Sequence, residues 1–482
     1  MIQIMKIAAS RAVLSGSIRV PGSKSHTIRA VILASLAEGV SHISNPLASA
    51  DCLSAGRAVP LIGSRLDFGD SGSADSVWTV TGAGSGAHLP SDVIDVGNSG
   101  SLLYFLSPIV ATFPGWSIFT GDESIRKRPV SHVVAALNQL GAQAFIARPG
   151  TDAPPLLIRG PIDAGHTVIT DGRLSQYVSG MMMAALRMNG TLRIELTDPK
   201  EVPYLKMTRQ WLEFLGTEVF VSDDFRHIRV SGPVFFKGFD RIIPSDWEAV
   251  AFPLIAALIT DSELVIENID DSGSQGDAAL LEVLLSVGAD VEWNHEMKTL
   301  TVRGGSRARS FAGRGSGAAA SDILKACSVP GRLSTKGLPG GELHANLAGF
   351  PDAVCALAAV ACFIDGKTVI EDIGVCRRKE TDRIVVLKGE LSKLGAEVEE
   401  GEDFLVINGH SPLLPDGNPN PAFRMHGGSV ESFGDHRVAM AEACLGLGLP
   451  DLVVVNDAEC CSVSFPHFFE AMNRIGAEFT KT

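Results

Sequence analysis

A chain of 482 residues is too long for one ordinary core, so two or more domains are expected. Its formal charge of −14 at pH 7 excludes a global positive field for nucleic acid, and no nucleic-acid-binding motif appears. No apolar run reaches the roughly 18 residues that span a bilayer, so no membrane partner is expected.

The opening stretch, MIQIMKIAASRAV, lacks the apolar core of a secretory signal. The eight cysteines show neither a C-x-x-C pair nor a Cys/His metal spacing, and Cys460 and Cys461 are adjacent. A reduced, cytoplasmic setting and no metal site are expected.

The first element is a strand-like run, Ser17 to Val20. Pro21 to Ala30, PGSKSHTIRA, follows and leads into an apolar helical run, Val31 to Ala37. Pro21 and Gly22 form a turn that sets Ser23, Lys24 and Ser25 where a helix begins. Unpaired backbone N–H groups there favour an anion. Lys24, two hydroxyls and Arg29 one turn on add donors and positive charge. An ordinary Ser cap with solvated basic residues explains the same stretch equally well.

Along the chain a helix end, a Gly turn and a strand recur at Gly63, Gly141, Gly216, Gly288, Gly395 and Gly476. The intervals are 78, 75, 72, 107 and 81 residues. Gly after Leu or Ile fits a left-handed helix cap, and the alternation that follows fits a half-buried strand. Upstream of each Gly lies a small-residue apolar helix, starting after Arg29, Ser101, Gln176, Glu248, Asp352 and Arg437. Helices apolar nearly all round belong in a core. Six units imply two similar α/β domains of three units each. The 107-residue interval contains a longer Gly/Ser-rich stretch, Arg307 to Gly341, expected as a loop.

The residues before the six helices are Lys24-Ser25, Asn98-Ser99-Gly100, Ser175-Gln176, Asp246, Pro351-Asp352 and Asp435-His436-Arg437. For Asp246 a plain cap suffices. For Asp435-His436-Arg437 a cap explains the Asp but neither the His nor the Arg. Two further basic clusters are Arg126-Lys127-Arg128 and RRKETDR, Arg377 to Arg383. Each alone reads as a solvated face. Together with Lys24 and Arg29 they suit multiply charged small molecules. Asp352, Glu380 and His436 are acid–base candidates, with Lys24 as a proton donor, since a carboxylate amid arginines stays ionised. A Walker phosphate loop and a G-x-S-x-G elbow are both absent.

PGSKS, GNSG, the GD…KRP segment, SQY, PY, QGD, PDA, RRKETDR, GDHR and SFP occur in that order from end to end. In this the chain resembles the EPSP synthases, the 3-phosphoshikimate 1-carboxyvinyltransferases of the enolpyruvyl transferase family. The resemblance implies an inverse α/β barrel fold with two domains, each of three βαβαββ repeats. The boundaries would be 22–241 for the shikimate-phosphate side, and 1–21 with 242–482 for the phosphoenolpyruvate side. The active site would lie in the cleft between them, closed by induced fit. The implied reaction moves the enolpyruvyl group of phosphoenolpyruvate to the 5-hydroxyl of shikimate 3-phosphate, without cofactor, in a monomer of chorismate biosynthesis.

By motif position the resemblance places Lys24, Gly100, Arg128, Arg383 and Arg437 at phosphoenolpyruvate. It places Lys24, Ser25, Arg29, Ser175, Gln176, Tyr204, Asp352 and Lys379 at shikimate 3-phosphate. Asp352 would be the base for the 5-hydroxyl, Glu380 would work on the methylene group, and His436 would assist Arg437.

Four departures stand against the family pattern. Tyr104 and Phe105 replace Arg-Pro after the GNSG turn, and Val463 replaces a lysine before Phe465-Pro466. The Ser-Ser-Gln motif becomes Leu174-Ser175-Gln176, and Ser-Arg-Pro-Tyr becomes Glu201-Val202-Pro203-Tyr204. Glu201 would repel a phosphate unless Arg173 offsets it. These departures leave room for a different phosphorylated acceptor, and a non-catalytic paralogue is the further alternative. The UDP-N-acetylglucosamine enolpyruvyl transferases carry a loop cysteine, but here none lies between Cys52 and Cys327.

Overall fold

The structure is a computed structural model that describes residues 5–69, 76–305 and 332–482. Most of the Arg307–Gly341 stretch lies outside the described residues. The chain divides into two compact units, Pro21–Pro244 and Met1–Val20 with Ser245–Thr482. Its described strands form six four-stranded sheets.

Pro21–Pro244 contains three of these sheets, each with one parallel and two antiparallel pairings. In the first, Asp240–Ile242 lies parallel to Glu38–Ser44, which pairs antiparallel with Val77–Ala83, and Arg65–Asp67 forms the far edge. Ile94–Asp95, Gly115–Thr120, Leu156–Gly160 and Gln143–Ile146 repeat this order, as do Thr167–Thr170, Gly190–Leu196, His227–Gly232 and Val219–Val221. Each sheet carries two helices: α1 (Lys24–Leu36) and α2 (Ala50–Ala58), α3 (Gly100–Val110) and α4 (Ser131–Gln139), α5 (Ser175–Ala184) and α6 (Val202–Phe214).

The second unit repeats the plan with α7 (Trp247–Leu258) and α8 (Ala279–Ser286), α9 (Val354–Ala361) and α10 (Arg383–Lys393), and α11 (His436–Gly446) and α12 (Phe468–Arg474). Two of its sheets borrow from the start of the chain. Ser15–Arg19 lies parallel to Glu263–Glu267, and Ile7–Ser10 lies antiparallel between Val453–Asn456 and Glu478–Lys481. Short strands and a parallel edge in every sheet are what a repeated βαβαββ unit requires.

The periodic glycines explain the joins. All six turn glycines have φ between 83° and 105°, a left-handed conformation that costs other residues a Cβ clash. A second glycine series went unread in the sequence. Gly82, Gly160, Gly232, Gly304 and Gly409 end strands where an added Cβ would strike the carbonyls at the end of the adjoining buried helix. Helix and sheet meet there with no room for a side chain.

The first helix of each repeat is the buried one. In α1 all but Ser25 are buried, and α9 is buried throughout. In the Pro21–Pro244 unit α3 packs on α5, and Gly180 gives α5 close access to the Tyr104 carbonyl. In the other unit α7, α9 and α11 pack pairwise at the centre of the core. Such helices have no polar face, so their polar starts are where side chains with other duties emerge.

One carboxylate lies deep within such a helix. Glu442 of α11 is 1% exposed, and neither carboxylate oxygen has a hydrogen-bond partner among the described residues. Burial pushes its carboxyl well above the ordinary value of 4.5, Glu390, Cys460 and Glu431 push the same way, and Lys393 opposes them. The folded protein therefore holds a proton that the unfolded chain releases. Stability falls as pH rises above 4.5 and goes on falling until the buried group itself ionises. Glu442→Gln should raise the melting temperature at neutral pH by a margin that shrinks towards pH 4.5, as read from melts across a pH series.

Candidate functional site

The starts of the buried helices carry the candidate side chains, and each unit holds its own set. In the Pro21–Pro244 unit, Ser23 caps α1 by accepting from the His26 N–H at 3.5 Å. Lys24 is the first helical residue, 8% exposed, with its Nζ 3.6 Å from Asp51 of α2. Asp51 was not singled out in the sequence, where it reads as a first-turn acid.

Arg29 lies inside the unit, 1% exposed. Its Nε donates to Thr208 Oγ1 at 2.9 Å and Nη1 donates to the Ser25 carbonyl at 2.9 Å. Nη2 donates to Ser179 Oγ at 3.3 Å and to the Tyr204 carbonyl at 3.2 Å. The guanidinium also lies 4.5 Å from the centre of the Phe105 ring. Burial among neutral acceptors pulls Arg29 down to about 9, with Tyr204 opposing. The resemblance puts Arg29 at shikimate 3-phosphate; here its donors bind α1, α5 and α6 together. Next to it, Trp211 Nε1–H donates to His26 Nδ1 at 3.0 Å, which requires a neutral imidazole. Burial, Arg29 and Arg241 accordingly hold His26 down at about 3.

The two aromatic departures both serve cations. Phe105 lies under Arg29, and Tyr104 Oη–H donates to the Pro129 carbonyl at 2.8 Å, next to Arg128. Asn98 Nδ2 donates to Asp122 at 2.6 Å, and the Asp122 N–H donates to the Gly97 carbonyl at 2.9 Å. The GNSG turn and the GDESIRKRP segment are thus one construction. Gly100 and Arg128 meet in it, for an added Cβ at Gly100 would collide with Arg128 Nη1.

At the start of α5, the Ser175 N–H and Oγ–H donate to Glu201 Oε2 at 3.0 and 2.8 Å. Gln176 follows, half-buried, with no partner for its Oε1 among the described residues. Tyr204 is 7% exposed and one turn into α6. Arg173 does not offset Glu201 but pairs with Asp198 at 2.9 Å.

The second unit gathers its charges around Arg383, the first residue of α10 and 1% exposed. Its Nε and Nη2 donate to Asp435 at 2.7 and 3.2 Å, Nη1 to Asp352 at 2.6 Å and Nη2 to Glu380 at 2.7 Å. Lys379 Nζ lies 3.6 Å from Asp352, and Arg437 Nη1 lies 3.4 Å from it. Arg437 also donates from Nη2 to Glu248 of α7, and from Nε to His436 Nε2 at 3.3 Å. Asp435 caps α11 by accepting from the Arg437 N–H at 3.0 Å.

Burial alone would push Asp352 up, but Arg437, Lys379 and Arg383 together outweigh it and hold the carboxyl well below 3.8, against the push of Glu380. Burial would lower Arg383, and Asp435, Glu380 and Asp352 raise it well above its ordinary value instead. Both groups are therefore ionised across the physiological range.

Asp352, Lys379, Glu380, Arg383, His436 and Arg437 are brought together; Asp435 and Glu248 complete the group and were missed as functional residues. The GDHR motif held the signal for Asp435, which alone reads as a cap. Glu248 follows the cap Asp246 by two residues and gives no signal until α7 and α11 are seen to pack together. The sequence suggests a surplus of cations here. The structure instead sets Lys379, Arg383 and Arg437 against Asp352, Glu380, Asp435 and Glu248. Val463 ends the 3-10 turn Ala458–Val463, half-buried.

Among the described residues no group of three or more His, Cys, Asp or Glu is placed to hold a metal ion, and no helix is long and apolar enough to cross a membrane.

The family model described as EPSP synthase (3-phosphoshikimate 1-carboxyvinyltransferase) matches residues 9–472. The chain belongs to the EPSP synthase family. A relative named 3-phosphoshikimate 1-carboxyvinyltransferase from Ruminiclostridium cellulolyticum is 33% identical over 98% of this chain and 99% of its own. One of the same name from Acetivibrio thermocellus is 34% identical over 99% of each chain. The solved EPSP synthase of Acinetobacter baumannii shares the fold with a TM-score of 0.74 at 24% identity, covering 99% of this chain and 100% of its own. The fold also extends to an enolpyruvyl transferase, NikO of Streptomyces tendae, with a TM-score of 0.70 at 15% identity, covering 99% of each chain.

Removing the central cation should be costly. Arg383→Leu leaves the buried Asp435 and the half-buried Asp352 and Glu380 without their common partner, and the loss of a buried ionic partner costs about 3–5 kcal/mol. A denaturant melt should show that loss, with the far-UV spectrum at zero denaturant checking that the protein still folds.

Proposed function

We propose that the protein transfers the enolpyruvyl group of phosphoenolpyruvate to the 5-hydroxyl of shikimate 3-phosphate, releasing phosphate. The observation that carries this reading is the Asp352–Arg383–Glu380 group, two carboxylates on one buried guanidinium with Lys379 and Arg437 beside it. Family membership and full-length relatives of that name support the reaction.

In the reaction the 5-oxygen bonds to C2 of phosphoenolpyruvate while its proton leaves and C3 gains one. The C2–phosphate bond then breaks and C3 returns a proton, so the products are the enol ether and phosphate. Asp352 takes the hydroxyl proton. In the free protein it is a weak base, because Arg437, Lys379 and Arg383 hold its proton affinity down. Substrate anions that engage Arg437 and Lys379 relieve that hold, and Asp352 becomes basic when both substrates are present. Glu380 serves the methylene carbon, and His436 orients Arg437 through the Nε contact.

Lys24, Gly100 and Arg128, with Arg383 and Arg437, hold phosphoenolpyruvate. Lys24, Ser25, Arg29, Ser175, Gln176, Tyr204, Asp352 and Lys379 serve the acceptor, Arg29 by fixing the helices that carry the others. The protein acts as a cytoplasmic monomer of chorismate biosynthesis.

The direct test is phosphate release from phosphoenolpyruvate and shikimate 3-phosphate by the purified protein; no release above background overturns the reading. Asp352→Asn should depress kcat by about 10²-fold or more while leaving substrate binding within a few-fold, as expected for a positioned base. Gly100→Ala should act on binding instead. Its methyl displaces Arg128, so the KM for phosphoenolpyruvate should rise about tenfold or more, as for loss of a charge-assisted contact.

A further inference from the structure

We propose that Glu201 is a specificity-determining residue, a carboxylate of the protein's own that takes the place of an anionic group at the start of α5. The inference rests on the enolpyruvyl-transfer reading and concerns the acceptor's phosphate. Ser175 opens α5, and its backbone N–H and hydroxyl are the donors a phosphate would use there. Both already point at Glu201 Oε2, at 3.0 and 2.8 Å.

The arrangement is built into the backbone. Glu201 is 1% exposed and sits in a left-handed conformation, φ 52° and ψ 36°, as the residue before α6. Its side chain therefore turns back 26 residues towards α5. Leu174, at the cap position of α5, makes no side-chain capping bond, so the Glu201 carboxylate supplies the cap that the local sequence lacks. Arg173, two residues before Ser175, is engaged with Asp198 at 2.9 Å. Gln176 adds a buried carbonyl oxygen that seeks a donor.

This end of α5 thus offers two acceptors, Glu201 and the Gln176 carbonyl. A phosphate arriving here must displace Glu201 or lie against it, and like charges at contact distance repel strongly in a buried site. A hydroxyl meets no such penalty and can donate to either acceptor. Discrimination arises as much from a repulsive element as from attractive ones. The protein should accordingly favour phosphorylated over unphosphorylated cyclitol acceptors less than the same site with Glu201 neutralised.

The test compares shikimate 3-phosphate with shikimate in the wild-type protein, Glu201→Gln and Glu201→Asp. Glutamine keeps an oxygen that can accept from Ser175, so α5 retains its cap; melting curves check this. The ratio of kcat/KM for shikimate 3-phosphate over shikimate should rise about tenfold or more in Glu201→Gln, through a lower KM for the phosphorylated acceptor. Glu201→Asp should keep the wild-type ratio. An unchanged or lower ratio in Glu201→Gln, even with a lower melting temperature, makes Glu201 a cap alone and overturns the proposal. Calorimetric titration of shikimate 3-phosphate into each protein gives the same comparison without turnover. If the wild-type protein releases no phosphate with either acceptor, the transfer reading fails, and the titration still decides the role of Glu201.

Discussion

The second unit depends on one guanidinium. Arg383 contacts Asp352, Glu380 and Asp435 and so joins the starts of α9, α10 and α11 at a single point. The planar fork of arginine suits this task, because its five donors leave in fixed directions and its charge is not lost at physiological pH. Lysine offers a point charge and would not fix three carboxylates at once. Burial makes each contact strong and makes any vacancy costly, so the loops before three helices are held to one geometry. That geometry keeps Asp352 ionised and close to Lys379 and Arg437 while no substrate is bound.

The Pro21–Pro244 unit reaches rigidity by other means. Its buried Arg29 is satisfied by hydroxyls, carbonyls and the Phe105 ring rather than by carboxylates. Neutral partners leave the cation's charge uncompensated, which is why burial lowers it to about 9. Tyr104 fixes the segment behind Arg128 in the same neutral fashion. Both units also contain internal carboxylates against the donors assigned to substrates, Glu201 on Ser175 and Glu248 on Arg437. A protein that must attract anions therefore carries anions of its own at those places.

Much of this was legible in the sequence because repetition averages out local ambiguity. Six Gly turns at similar spacing located the six units, and all six have the left-handed backbone expected. The polar residues before each buried helix were likewise readable, since an apolar helix has no other place to expose chemistry. Pairings across long sequence separations were not readable. Glu248 meets Arg437 over 189 residues, and Arg383 meets Asp435 over 52. Charge compensation of this kind is a property of packed helices, and a linear charge count shows only clusters. The Gly82 and Gly232 series escaped notice because a glycine at a strand end has many ordinary explanations. Only the helix carbonyls beside it reveal the close approach. Glu201 was visible as a departure, but its meaning depended on a left-handed backbone that no propensity assigns to Glu.

The strand Ile7–Ser10 has a consequence for the order of manufacture. Both of its neighbours, Val453–Asn456 and Glu478–Lys481, lie far later in the chain and leave the ribosome long after it does. Pro21–Pro244 is continuous in sequence and can complete all three of its sheets while translation proceeds. The other unit must wait with an unpaired, apolar strand until those later segments have been made. Edges of that kind invite pairing with foreign chains. The folding hazard is therefore greatest at Ile7–Ser10, and it lasts until Glu478–Lys481 emerges.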